Sequence, residues 1–262
     1  MVNVLAPMNF DVDNLPAWHA HRFGLRSVAD YRGMNNHFQG GLTVDALCAL
    51  MPASETVSCG PEANASIDLT NFLTTKDSDG VDFEARELIV GVNCSPLERE
   101  RTKKVLEDWW SQAEDFAVER VLAEQVAAHT ETQTVATGAT DVDSQIGALL
   151  DEWYTTQSSV PTIHISPGMA QSSDRIKRYG NKLELETGEA VAVGAGYINA
   201  LGAQTGWTAS GGRLFATGPV LGVYGPSEVI EAAGGSITTN NYPIYMNRTW
   251  LLAWRCAAII AT

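Results

Sequence analysis

Few residues in this chain have the types and spacing that catalysis or ligand binding requires. His164 sits in an apolar run, residues 163–166, that reads as a strand. An inward imidazole held by hydrogen-bond partners suits that position better than a general base does. His19 and His21 fall on one side of an extended stretch and could pair on a metal, but no third ligand follows at a recognisable spacing. Cys94 directly precedes a helix start, where a thiol becomes more acidic, yet it also ends an apolar strand, which predicts a buried, inert thiol. Gly194-Ala-Gly196 closes the strand-like Val191-Ala-Val as half of a dinucleotide fingerprint. The next glycine is Gly202, and the residues between open no helix for a pyrophosphate. Glu98 with Glu100, and Asp141 with Asp143, are acids at helix starts, where capping and the helix dipole account for them. Walker A, G-x-S-x-G and H-E-x-x-H patterns are absent. The expectation is no catalytic residue, no cofactor and no metal, hence not an enzyme.

The elements that carry these residues are written more plainly than any reaction. Ser95, Pro96 and Glu98 form a capping box with proline at the first helical position. No Gly or Pro follows until Gly138, so one helix is expected over about residues 96–128, roughly 50 Å long. Leu97, Val105, Leu106, Trp109, Trp110, Ala113, Phe116, Ala117, Val121 and Leu122 read as its apolar stripe. Glu107, Asp108, Glu114, Asp115 and Glu119 are placed elsewhere on it. Before it, residues 76–80 (KDSDG) signal a turn. Residues 81–86 then alternate apolar and polar, and residues 88–92 read as a strand buried on both faces. Asp141 or Thr140 caps a second helix through Ile146, Leu149, Leu150, Trp153 and Tyr154. A strand over 161–166, a short helix from Pro167, strands over 183–187 and 190–193 joined at Gly188, and a closing strand over about 249–260 complete an α+β chain.

Residues 1 to about 60 carry little periodicity. Phe10, Trp18, Phe23, Tyr31 and Phe38 appear singly among Pro, Gly, Asn and Asp, so their burial is expected to come mainly from neighbouring subunits. The formal charge of −14, with 31 acids against 17 bases, disfavours a sequence-independent grip on nucleic acid. The densest basic run, Arg99, Arg101, Lys103 and Lys104, is interleaved with glutamates and reads as a solvated helix face. The N-terminus lacks a secretory pattern, and the most apolar segment, residues 250–261 with Arg255 inside it, is only twelve residues long and too short to span a bilayer, so no membrane partner is expected. Four scattered cysteines, Cys48, Cys59, Cys94 and Cys256, form no C-x-x-C pair and read as reduced thiols. A content of 45% apolar residues allows a substantial core.

Local wording then sharpens the outline. FEARELIVGVNCS at residues 83–95 with AVER at 117–120, IHISPG at 163–168, TGEAVAVGAGY at 187–197, FATGPV at 215–220 and NRTWLLAWRC at 247–256 resemble, in order and spacing, segments of capsid proteins from actinobacterial phages. The chain is thereby identified as resembling tailed-bacteriophage major capsid proteins of the Hong Kong 97-type fold, which encapsulins share. The resemblance covers roughly residues 80–260. It implies an N-terminal arm (1–35), an extended loop and leading strand (36–92), a peripheral domain with a long spine helix (93–134 and 241–262) and an axial domain (135–240). It further implies a structural subunit that assembles with copies of itself, as hexamers or pentamers, into an icosahedral shell enclosing DNA without binding it specifically. Portal, scaffolding and decoration proteins are the other partners it allows, and the implied location is the virion, after assembly in the host bacterial cytoplasm. The alternatives are an encapsulin-like or minor head protein, and a small α/β enzyme built on His164 and the Gly194–Gly196 loop.

Overall fold

A computed structural model describes residues 22–34, 41–44, 81–94, 99–129, 132–139, 141–157, 159–197, 214–231 and 242–262. The capping box at 95–98, the turn at 76–80, His19, His21, Cys48, Cys59 and Gly202 lie outside them.

Among the described residues the dominant element is α1 (Arg99–Ala128), 30 residues and thus about 45 Å long. It packs against β4 (Arg86–Cys94) and β13 (Tyr242–Trp254). Those two strands run antiparallel from Tyr242 opposite Cys94 to Trp250 opposite Arg86. β13 is long enough to carry two further partners on its other edge. β12 (Glu228–Glu231) lies beside Ile244–Asn247, and β11 (Val220–Tyr224) beside Trp250–Trp254. β1 (Asp30–Gly33) adds to β11 in parallel, completing a five-stranded sheet. A short pair, β2 (Leu42–Val44) with β3 (Val81–Phe83), forms a separate two-stranded sheet that contacts β13, with Phe83 edge-on to Trp254 at 4.6 Å.

The second sheet has seven strands. It runs from β5 (Gln133–Val135) through β14 (Ala258–Ala261), β10 (Leu214–Thr217), β6 (Thr162–Ile165) and β9 (Ala190–Val193) to β8 (Lys182–Leu185) and β7 (Ile176–Tyr179). α2 (Val142–Thr156) begins where Ser144 N–H donates to the Asp141 carboxylate at 2.8 Å, and it lays Ile146, Leu149 and Trp153 onto this sheet. The short α3 (Pro167–Gln171) follows β6 as expected. Gly188, at φ 102°, turns β8 into β9.

Four expectations need correction. The closing strand is two strands in different sheets, because the chain bends at Arg255–Cys256 between β13 and β14, with Cys256 at φ 65°. β4 is not buried on both faces: α1 covers one side only, so Leu88, Val90 and Val92 are half-buried while Ile89 is 60% exposed. The N-terminal stretch does not depend on neighbours throughout. Leu25 is 1% exposed in this chain's own core, and Tyr31 meets the Trp250 ring edge-on at 5.4 Å.

The fourth correction concerns α1 itself. Its buried line is Leu106, Trp110, Glu114, Val118, Leu122 and Val126, with Glu119 and Ala123 beside it, while Trp109, Ala113 and Phe116 are exposed. Steps of four residues advance 400° around a helix of 3.6 residues per turn, so such a line drifts about 40° per step. The helix therefore buries different sides along its length. Leu106 and Trp110 close a small core with Cys94, Ile244 and Met246. Val118, Leu122, Ala123 and Val126 enter a larger one with Leu251, Leu252 and Trp254.

Candidate functional site

Glu114 and Glu119 stand at the middle of α1, where the N-terminal segment, the five-stranded sheet and the turn after β9 converge. Both carboxylates are buried, at 6% and 2% exposure. A buried charge survives only with hydrogen bonds or a counter-charge, and the two acids are served differently.

Glu114 has a counter-charge. Arg248 on β13 donates through one nitrogen to both oxygens, at 2.7 and 2.9 Å, and Trp250 Nε1–H donates to Oε1 at 2.9 Å. Because Arg248 and Trp250 are two residues apart on one strand, they share a face and reach one carboxylate together. Asp115, one position on, pairs with Arg26 at 2.8 Å. Burial still raises its pKa above the usual carboxylate value, against the pull of Arg26.

Glu119 is held by backbone. Leu25 N–H donates to Oε1 and Gly196 N–H to Oε2, each at 3.1 Å, across separations of 94 and 77 residues. The Gly194–Gly196 loop of the sequence is thus a short 3-10 turn, Ala195–Tyr197, pressed on the helix. A Cβ on Gly196 would meet Phe116 O at 2.4 Å, so no larger residue fits there. Desolvation lifts the Glu119 pKa from 4.5 to about 7, against the lowering effect of the Gly196, Leu25 and Ala195 amides.

His164 and this turn do come together. His164 Nδ1 lies 3.0 Å from the Tyr197 hydroxyl, Nε2 lies 2.9 Å from Thr217 Oγ1, and the ring stacks on Phe215 at 4.5 Å. The imidazole is wholly buried, and burial pushes its pKa down to about 3, so it is neutral with both nitrogens occupied. That arrangement fills a core; no face of the ring is offered to a substrate.

The remaining candidates are dispersed. Cys94 is a buried thiol in the core under α1. Asp143 accepts from Ser173 Oγ at 2.6 Å and from Asp174 N–H at 3.2 Å, tying α2 to the loop before β7. Glu100 is exposed and pairs with Lys103 at 3.3 Å. The basic run is more than a solvated face, since Arg99 and Lys103 both pair with Glu231 on β12. Among the described residues no group of three His, Cys, Asp or Glu could hold a metal ion, and no helix is long and apolar enough to cross a membrane. Sequence reasoning set Glu114 and Glu119 off the apolar stripe, whereas the structure buries both. The signal it passed over was the four-residue series from Leu106 to Val126, which runs through Glu114.

No family model matches the chain, and no curated protein does. Solved structures match it along nearly its whole length. A chain of Mycobacterium phage Che8 is 11% identical with a TM-score of 0.55, covering 100% of this chain and 98% of its own. The virus-like particle from Pyrococcus furiosus is 8% identical with a TM-score of 0.55, covering 91% of each chain. The capsid of an empty GTA particle is 11% identical with a TM-score of 0.50, covering 97% of this chain and 94% of its own. The chain therefore has an α+β fold of the kind found in phage capsids and virus-like particles.

Proposed function

We propose that this chain is a shell-forming subunit of a phage-type capsid. The observation that carries the reading is the end-to-end likeness to the virus-like particle and to the empty particle's capsid, with coverage above nine-tenths of each chain. Likeness over one motif could be shared by proteins of any role. A match over more than nine-tenths of both chains favours a shared task. The surface supports it: Ile89, Trp109 and Tyr179 are at least half exposed, and large apolar side chains held outward suit a surface that is covered on assembly. In this reading the structural role leaves no place for catalysis.

The division into an arm (1–35), an extended loop (36–92), a peripheral domain (93–134 and 241–262) and an axial domain (135–240) belongs to the same proposal. The five-stranded sheet with α1 and the seven-stranded sheet with α2 support it. β11 and β12 lie beside β13, however, and β14 beside β10, so the chain crosses between the two bodies more than once after residue 214. The enclosed DNA is confined rather than gripped, in keeping with the net charge of −14. Copies of the chain as hexamers or pentamers, a place in the virion and assembly in a bacterial cytoplasm complete the reading.

Negative-stain microscopy of the expressed full-length chain, paired with sedimentation velocity, tests it. Closed shells or rings of subunits are the expected result. A monomer at every concentration and salt condition would overturn it.

A further inference from the structure

Charge is unevenly placed along this chain. No Lys or Arg occurs from residue 121 to residue 174, and then Arg175, Lys177, Arg178 and Lys182 gather in and beside the β7–β8 hairpin. Arg22 joins them, donating to the Asn181 side chain at the hairpin turn. The Arg22 and Arg178 guanidinium groups both lie over the Phe23 ring, at 5.7 and 5.5 Å. Among the described residues Arg22, Arg178 and Lys182 form no ion pair. Resting on the reading of the chain as a shell subunit, we infer that this hairpin docks on the outer face of α2 in a second copy, its cations meeting Asp151 and Glu152 there.

β7 is the last strand of the seven-stranded sheet, and charge on an open edge discourages unwanted strand pairing. The base of the hairpin fits that purpose, with mixed signs. Lys177 stands opposite Glu184 and reaches Glu186 at 3.7 Å, while Arg175 lies over Gly147 of α2. The tip is different. Residues 178–182 hold Arg178 and Lys182, with Arg22 beside them, and no acid. Tyr179, 55% exposed, stands opposite Lys182. Arginines around an exposed tyrosine are the composition of a protein-binding patch, and edge protection requires neither the tyrosine nor Arg22, which stands off the strand.

The partner surface follows from charge complementarity. α2 packs on β14, β10 and β5, in the other half of the sheet from β7, and it carries Asp143, Asp151 and Glu152 with no cation. Asp143 is used within the chain, by Ser173 and Asp174. Asp151 is exposed and Glu152 half-buried, and among the described residues neither forms an ion pair. Tyr154 and Val160, 40% and 60% exposed, flank them with apolar surface suited to Tyr179. The exposed Glu107 and Asp108 of α1 stand close to Arg101 and Lys104, so that face is nearer neutral. Hairpin tip and α2 are different patches, so their contact repeats head to tail from copy to copy. A contact of that kind closes into a ring where its rotation allows, as hexamers or pentamers require.

Carbodiimide coupling, which joins an amine directly to a carboxylate, tests this on the full-length wild-type chain assembled from mixed isotopically light and heavy subunits. Mass spectrometry should find Lys182 of one isotope joined to Asp151 or Glu152 of the other. Arg178→Glu with Lys182→Glu, and separately Asp151→Lys with Glu152→Lys, should each raise the concentration at which sedimentation detects assembly by at least about tenfold, with circular dichroism unchanged. Combining all four substitutions should recover most of that loss. The wild-type cross-link decides the matter if a variant fails to fold. A wild type that assembles without the mixed cross-link overturns this contact and leaves the shell reading standing. So do folded variants that assemble as readily as wild type, or a combined variant that recovers nothing. A chain that is monomeric in every condition overturns both. Salt-sensitive binding of a short DNA duplex, abolished by the hairpin variant while assembly is unchanged, would assign the patch to nucleic acid and overturn the contact.

Discussion

Two buried titratable residues pull the stability of this chain in opposite directions with pH. Glu119 has a folded pKa raised from 4.5 to about 7. The folded state therefore binds more protons than the unfolded one across that window, and stability is lost as pH rises through it. The shift corresponds to roughly 3 kcal/mol at full effect. His164 has a folded pKa lowered from 6.5 to about 3, so the unfolded state binds the extra proton, and stability is lost as pH falls below about 6.5. Between about pH 4.5 and 6.5 the two slopes oppose and largely cancel, so urea unfolding of dispersed subunits from about pH 4 to about pH 8 should vary little there in the wild type. Glu119→Gln should uncover the His164 slope, with stability rising as pH rises through that window. His164→Gln should weaken the fold at neutral pH, since Tyr197 and Thr217 lose well-placed partners, and should uncover the Glu119 slope, with stability falling as pH rises. Parallel pH profiles for wild type and either variant would contradict the assignment.

At the scale of the element, α1 has two tryptophans side by side with opposite fates. Trp110 is 5% exposed against Ile244 and Met246, whereas Trp109 is 51% exposed. Trp110→Ala should cost about 3–5 kcal/mol through lost burial and the cavity left behind, enough to remove most of a typical domain's stability. Trp109→Ala should leave the unfolding midpoint of the dispersed subunit nearly unchanged. Any assembly defect it causes would then belong to a surface between copies. Chemical denaturation of both variants under conditions that keep subunits apart distinguishes the two roles, and equal losses would mean the helix is rotated from the orientation described.

At the scale of the molecule, the N-terminal segment belongs to the fold before it belongs to any assembly. Leu25 lies in the largest core cluster, and β1 extends the five-stranded sheet through β11. Burial of this stretch mainly by neighbouring subunits, as its sequence suggests, would let a chain lacking residues 2–32 fold and fail only in assembly. The structure points instead to loss of soluble protein, because Leu25, Tyr31 and the seal over Glu119 go together. Deleting residues 2–21 alone should leave the circular dichroism and melting of the subunit close to wild type. If the longer deletion folds and melts normally, the docking of residues 22–34 adds little to stability.

Local rules were sufficient for much of the architecture. The long helix through Ala128, the Asp141 cap of α2, the short helix at Pro167, the Gly188 turn and the inward His164 all follow from caps, periodicity and turn chemistry within a few residues. Four-residue spacing even runs through Glu114, though nothing in the sequence marks an acid on such a line as buried. What only tertiary structure decided depends on partners far along the chain. β4 is open on one face because a single helix covers it, and the last strand splits because β13 and β14 belong to different sheets. Glu114 finds Arg248 and Trp250, which are 134 and 136 residues away, and Glu119 finds amides 94 and 77 residues away. A carboxylate reads as polar and outward by composition. Here Glu114 and Glu119 are inward because donors from β13, the N-terminal segment and the turn after β9 reach the pair between them, and no local pattern encodes that convergence.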